Sequence, residues 1–210
     1  MAQSNPTSSG NVSPAVWLGL VGVAVLGLAA FKFFTLRPSP DTERSSDLVE
    51  VARTNLVLEG GRLCFAGTTN LFTGLMVEHH AGGTLRSRTA VTNGLLHGLS
   101  HGWYTNTQLQ VEETFREGTS HGTRTKWYAS GVKESEAPIA NGVLHGTFRR
   151  WHENGAPSEQ AELVEGRPEG LSLAWFPSRS LKGRVLMKGG KVMEQAFWKD
   201  GEKLTDGPGE

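Results

Sequence analysis

The sequence predicts an all-β fold: an elongated antiparallel meander of 24-residue β-hairpin repeats, preceded by one N-terminal transmembrane helix. Three observations predict the repeats. Glycines recur every 24 residues at Gly74, Gly98, Gly122, Gly146 and Gly170, and again at Gly94, Gly118, Gly142, Gly166 and Gly190. Two further rows keep the same period: Trp103, Trp127, Trp151 and Trp175, with His79 in the first copy, and Val91, Phe115, Ile139, Leu163 and Met187. Each copy also holds two short runs parted by turn residues such as Asn93-Gly94, Asn141-Gly142 or Glu153-Asn154-Gly155, the pattern of hairpins. A period shared by several rows sets the architecture before any motif does. The chain has 27 glycines among its 210 residues, and their place inside these runs disfavours helix there.

Residues 1–14 are small and polar without a charged side chain and read as a disordered tail. Ala15 to Ala30 is an unbroken apolar run that Phe31, Phe33 and Phe34 extend around Lys32. As a helix, residues 15–36 span roughly 30 Å, the thickness of a bilayer core. Trp17 suits one interface, and the stem of Lys32 can snorkel to the other. A cleaved signal peptide fits less well, because no Lys or Arg precedes the apolar core. A buried helix fits less well, because the segment has no polar face. Lys32 and Arg37 follow the helix, so the positive-inside rule favours a single-pass protein with its C-terminal part in the cytoplasm. Residues 37–53, with Pro38 and Pro40, read as a linker between membrane and domain.

Residues 54–204 form the repeat domain. A leading hairpin is expected over Asn55–Glu59, Gly60-Gly61 and Arg62–Ala66, before the five full copies. Because strand side chains alternate and 24 is even, the odd positions of every copy are expected on one face. That places the tryptophans together with Val91, Phe115, Ile139, Leu163 and Met187 on one aromatic-aliphatic face. The even positions, among them Arg88, Arg124, Lys126, Glu136, Arg150 and Arg184, then make a charged face. The period slips after Met187, so Phe197 to Gly201 reads as a degenerate terminal strand, and 205–210 as a polar tail. The meander has about twelve strands on this reading.

Composition removes several functions. Lys plus Arg equals Asp plus Glu at 21 each, so no basic surplus exists for nucleic acid, and none is expected as a partner. One cysteine, Cys64, excludes an intramolecular disulfide or a multi-cysteine zinc site and reads as a small buried residue. His97, His121 and His145 sit at equivalent places two strands apart, roughly 10 Å, too far for one zinc ion. They read as turn-flanking repeat residues. No nucleophile elbow, His-Glu-x-x-His or phosphate-binding loop occurs. No catalytic residue, metal or cofactor is expected, and the protein is expected not to be an enzyme. The tryptophan row has two readings, a core row under a curled sheet or a groove for another chain.

The repeat unit runs from an Asn-Gly or Glu-Gly turn through His-Gly and an aromatic pair to a second glycine turn. It resembles the MORN-repeat variant found in bacterial YwqK-family proteins, which are labelled antitoxins. Leu71 to Gly98, with its Phe72-Thr73-Gly74 followed by a strand and a glycine turn, is similar to the opening segment of that family. The resemblance covers about Asn55 to Lys203. It departs at His79-His80, where aromatics are usual, and at Arg179, where a turn glycine is usual. It implies hairpin repeats and a protein-binding role, and it carries over no catalytic residue. The expected function is therefore a membrane-anchored, non-catalytic module that binds another protein and is antitoxin-like. The alternative is an envelope structural protein that binds lipid headgroups or wall polymer through the charged face.

Overall fold

The computed structural model describes residues 48–201. The tail 1–14, the helix 15–36, the linker as far as residue 47 and the tail 205–210 lie outside the described residues. Among the described residues no helix is long and apolar enough to cross a membrane. The described part is all-β, with 16 strands. The first three are β1 (Glu50–Ala52), β2 (Leu56–Glu59) and β3 (Arg62–Phe65). The five copies supply β4 (Gly74–His79) with β5 (Leu85–Thr92), β6 (Leu95–Trp103) with β7 (Leu109–Arg116), and β9 (Gly122–Trp127) with β10 (Lys133–Ala140). They continue as β12 (Gly146–Trp151) with β13 (Pro157–Val164), and β14 (Arg167–Trp175) with β15 (Leu181–Lys188). Two short strands, β8 (Thr119–Ser120) and β11 (Val143–Leu144), precede β9 and β12, and β16 (Lys191–Phe197) comes last.

Fourteen strands form one sheet in sequence order, and β2 and β3 form a separate two-stranded sheet. The strand count exceeds the expected twelve for three reasons. The first strands of two copies are broken into pieces, the terminal strand is complete, and β1 joins the sheet. β1 falls inside the stretch that composition assigns to the linker. It pairs parallel with β4, Val51 opposite Met76, so the sheet is mixed rather than wholly antiparallel. The leading hairpin lies where expected, with Glu59 paired to Arg62 across Gly60-Gly61.

Turn chemistry explains the connections. Between copies Thr92 pairs with Leu95, leaving a two-residue turn, and Asn93 and Gly94 both have positive φ, at 49° and 76°. That is the type I′ geometry, whose twist suits a hairpin and whose second position favours glycine. Within a copy the loop has five residues, closed by the Tyr128 N–H to the Val132 carbonyl at 2.8 Å and its counterparts. Its fourth residue is left-handed: Gly131 at φ 87°, Gly155 at 76°, but also Thr107 at 66° and Arg179 at 74°. The departure noticed at Arg179 is thus a strained residue in a glycine position. A β-branched residue there costs about 1–2 kcal/mol, offset in part by glycine's greater freedom in the unfolded chain. Thr107→Gly should therefore stabilise the domain by roughly 0.5–1 kcal/mol. A melting midpoint that is unchanged or lowered would show that this loop does not hold the left-handed form.

The register overturns the expected faces. Gly122 pairs with Ile139, and Thr125 with Glu136, so odd positions of a first strand face even positions of a second strand. Only next to the five-residue loop do odd positions meet, as Trp127 with Lys133. A β-bulge follows at once in each of the five hairpins, and one extra residue switches every side chain beyond it to the other face. The tryptophans and the row Val91, Phe115, Ile139, Leu163 and Met187 consequently lie on opposite faces. The repeat glycines stand directly across from that aliphatic row: Gly74 from Val91, Gly98 from Phe115, Gly122 from Ile139, Gly146 from Leu163, and Gly170 from Met187. The two strongest rows in the sequence are cross-strand partners.

Burial follows this assignment. On the glycine face Thr89, Val91, Ser135, Ala137, Ile139, Ala161 and Leu163 are buried. At the N-terminal end the β2–β3 hairpin covers this face, making a core of Leu56, Leu63, Phe72 and Val91 with Met76 and Leu96 against it. Cys64, paired with Val57 on the other face of this hairpin, is buried as a free thiol. On the other face Leu75 and Val77 of the first copy are also buried, whereas Leu99 and Leu171 further along are about half exposed, at 52% and 46%.

Candidate functional site

The tryptophan face is built from the bulges upward. In each hairpin the residue that precedes the five-residue loop faces the one that follows it. His79 faces Leu85, Trp103 faces Leu109, Trp127 faces Lys133, Trp151 faces Pro157, and Trp175 faces Leu181. The aromatic and mostly apolar residues alternate strand by strand along the loop end of this face. Equivalent tryptophans stand two strands apart, roughly 10 Å. Trp103, Trp127, Trp151 and Trp175 are all half-buried, neither sealed in a core nor fully exposed. Side-chain contacts are made to two of the rings. The Lys133 Nζ lies 5.5 Å from the Trp151 ring centroid, and the His101 ring 5.7 Å from that of Trp103.

In four of the five copies the residue after the His79 or tryptophan position locks one copy to the next. The Tyr104 hydroxyl donates to the Trp127 carbonyl at 2.9 Å, and the Tyr128 hydroxyl to the Trp151 carbonyl at 2.8 Å. His80 Nε2 lies 3.0 Å from the Trp103 carbonyl and His152 Nε2 2.9 Å from the Trp175 carbonyl. A carbonyl only accepts, so both imidazoles carry their proton on Nε2 in these bonds. Phe176 occupies the fifth place and has no such donor. The sequence displays this row as the second member of the aromatic pair. Its role was hidden, because it depends on which carbonyl lies one copy ahead.

Burial pushes the Tyr128 hydroxyl above its ordinary 10.0, and the negative charge of Glu134 adds to this. The neutral, donating form is therefore the one the fold favours. Stability from this shift is present below pH about 10 and is lost as pH rises through the raised value. Tyr128→Phe should cost about 1 kcal/mol at pH 7, the worth of one hydrogen bond, and the difference from the parent should shrink above pH 10. A difference that grows with alkaline pH would contradict the assignment.

The charges do not gather on one face. On the tryptophan face Arg88 pairs with Glu50 at 2.9 Å and His101 with Glu112 at 3.0 Å. On the glycine face Arg124 pairs with Glu113 at 2.5 Å and Arg150 lies 3.8 Å from Glu159. The expected charged face is thus replaced by two mixed ones, for the same bulge-driven reason. His97 and His145 are exposed and His121 half-buried, beside the turns between copies. Among the described residues no three His, Cys, Asp or Glu side chains gather as a metal-ligand set. Fold and surface together define an all-β hairpin-repeat protein with one aromatic belt. No family model matches the chain, and no curated protein matches it.

Proposed function

We propose that the chain is a membrane-anchored, non-catalytic repeat module that presents its tryptophan belt to another protein, like the YwqK-type antitoxins its repeat resembles. The observation that carries this is the belt itself. Four half-buried tryptophans lie in line at one end of the face where Leu99 and Leu171 are also exposed. Tryptophan anchors of this kind are enriched at protein interfaces. The inter-copy hydrogen bonds hold the backbone carbonyls of the tryptophans in register before any partner arrives, which lowers the ordering cost of binding. The anchor rests on the apolar run of residues 15–36, and its flanking charges favour a cytoplasmic repeat domain. The second reading, headgroup or wall-polymer binding through a charged face, draws less support from this surface, because ion pairs lie on both faces.

The test uses the full-length chain purified from its own membranes with bound proteins. Partner capture should fall in Trp127→Ser and further in Trp127→Ser with Trp151→Ser, while Lys126→Ser on the opposite face leaves it unchanged. Capture that survives loss of both tryptophans overturns the reading. So does turnover of a substrate that a single substitution abolishes without altering the fold.

A further inference from the structure

The sheet ends differently at its two edges. At one edge stands β1, only three residues long, with Glu50 tied to Arg88. Short edges of this kind resist further pairing. At the other edge stands β16, seven residues long, paired with β15 on one side alone. It occupies the place of the first strand of a sixth hairpin, and among the described residues no second strand follows it. Three large apolar side chains on it are exposed: Val192 at 53%, Met193 at 61% and Phe197 at 68%. A long edge strand with exposed apolar residues and unpaired backbone donors and acceptors is a template for another strand.

We propose that the other strand is β16 of a second copy of this chain, joined antiparallel about a two-fold axis. The stretch Lys191-Val192-Met193-Glu194 is its own complement in that orientation. With the axis between Val192 and Met193, Lys191 stands opposite Glu194 of the second copy, and the two-fold axis repeats that pair. Such an axis requires Lys191 and Glu194 to share one face of the sheet. They do, because Leu186 pairs with Glu194 and Met187 with Val192, which leaves Met193 as the extra residue of a bulge. Glu194 already accepts a bond from Arg184 within its own copy, and its carboxylate has lone pairs left for the Lys191 ammonium. Opposite charges directly across a strand pair stabilise it and like charges destabilise it, so the same two residues that favour this register disfavour its neighbours. The dimer continues the sheet across the axis and leaves the tryptophan belts of both copies uncovered.

The experiment measures the mass of the full chain in detergent micelles by sedimentation across a range of concentrations, with circular dichroism to confirm that each variant is folded. The parent is expected to dimerise. Lys191→Glu and Glu194→Lys should each weaken the dimer about tenfold, because each places like charges opposite one another twice. An equimolar mixture of the two variants should recover the parent affinity, since in the mixed dimer opposite charges face each other again at both positions. A parent that stays monomeric overturns the proposal. A dimer unaffected by either variant overturns it too, and points to association through another part of the chain. A mixture that fails to recover overturns the register.

Discussion

Ile139→Asp is expected to destabilise the repeat domain by about 3–5 kcal/mol, the range for an unpaired charge forced into a buried site. Ile139 is 6% exposed and lies in a buried row with Ala137, with Gly122 across one strand boundary and Leu144 across the other. Glycine opposite it gives the isoleucine side chain room to spread over the neighbouring strand, so the aspartate would lose packing as well as solvation. The comparison is Glu134→Ser, on the half-buried tryptophan face in the bulge opposite Trp127. It should change stability by no more than about 0.5 kcal/mol. Denaturant midpoints for the two variants provide the measurement. Equal shifts would mean that the glycine face is not the buried one, and the strand register would fall with it.

The second large effect is expected at Gly94. Gly94 and Gly155 have the same φ of +76°, so the backbone strain of a side chain is alike at both. Their surroundings differ. A Cβ at Gly155 meets nothing within 4 Å, whereas at Gly94 it would lie 2.9 Å from both the Arg62 Cβ and the Leu63 carbonyl. Gly94 is the seat of the β2–β3 hairpin. Its carbonyl accepts from the Leu63 N–H at 2.8 Å, and its own N–H donates to the Phe72 carbonyl at 2.7 Å. Arg62 also donates to the Asn93 carbonyl at 2.7 Å. Gly155→Ala should cost about 1 kcal/mol from the dihedral alone. Gly94→Ala should cost about 3 kcal/mol or more, because the hairpin must lift from Leu56, Leu63, Phe72 and Val91. Amide exchange should rise in β2, β3 and β4 and stay unchanged in β14 and β15, since each copy touches chiefly its neighbours. Equal costs at the two glycines would show that the hairpin does not rest on this turn.

Much of the architecture was legible because turns and periods are local. Asn93-Gly94 and Asn141-Gly142 announce two-residue turns, and a 24-residue period over five copies leaves little choice of topology. The leading hairpin was visible in Gly60-Gly61 for the same reason. The faces were not legible. Parity along one strand can be read from residues, but parity between strands depends on the pairing, and a one-residue bulge beside Trp127 or Trp151 leaves no mark in the composition. β1 was hidden in another way. Its pairing with β4 is parallel and non-local, so no turn signal announces it. The tryptophan row was visible as a row, but its neighbours Leu109, Lys133, Pro157 and Leu181 join the belt only through the bulge. His80, Tyr104, Tyr128 and His152 form a series whose purpose depends on a carbonyl 23 residues ahead.

Those 23-residue bonds have a consequence for how such a chain grows. The bonds that fasten one copy at its two strand ends reach just one copy away: the Tyr128 hydroxyl to Trp151, and at the opposite strand end the Gly142 N–H to the Ser120 carbonyl. Neither bond senses how many copies come before or after. A gene duplication that inserted a whole 24-residue unit would reproduce both bonds at the new junctions and disturb none of the old ones. Each added unit would lengthen the belt by roughly 10 Å without any compensating substitution. An insertion of any other length would break the phase at both strand ends at once. Descendants of this chain are thus free to vary in whole-unit steps, and the span of partner they can reach is set by copy number rather than by side-chain change.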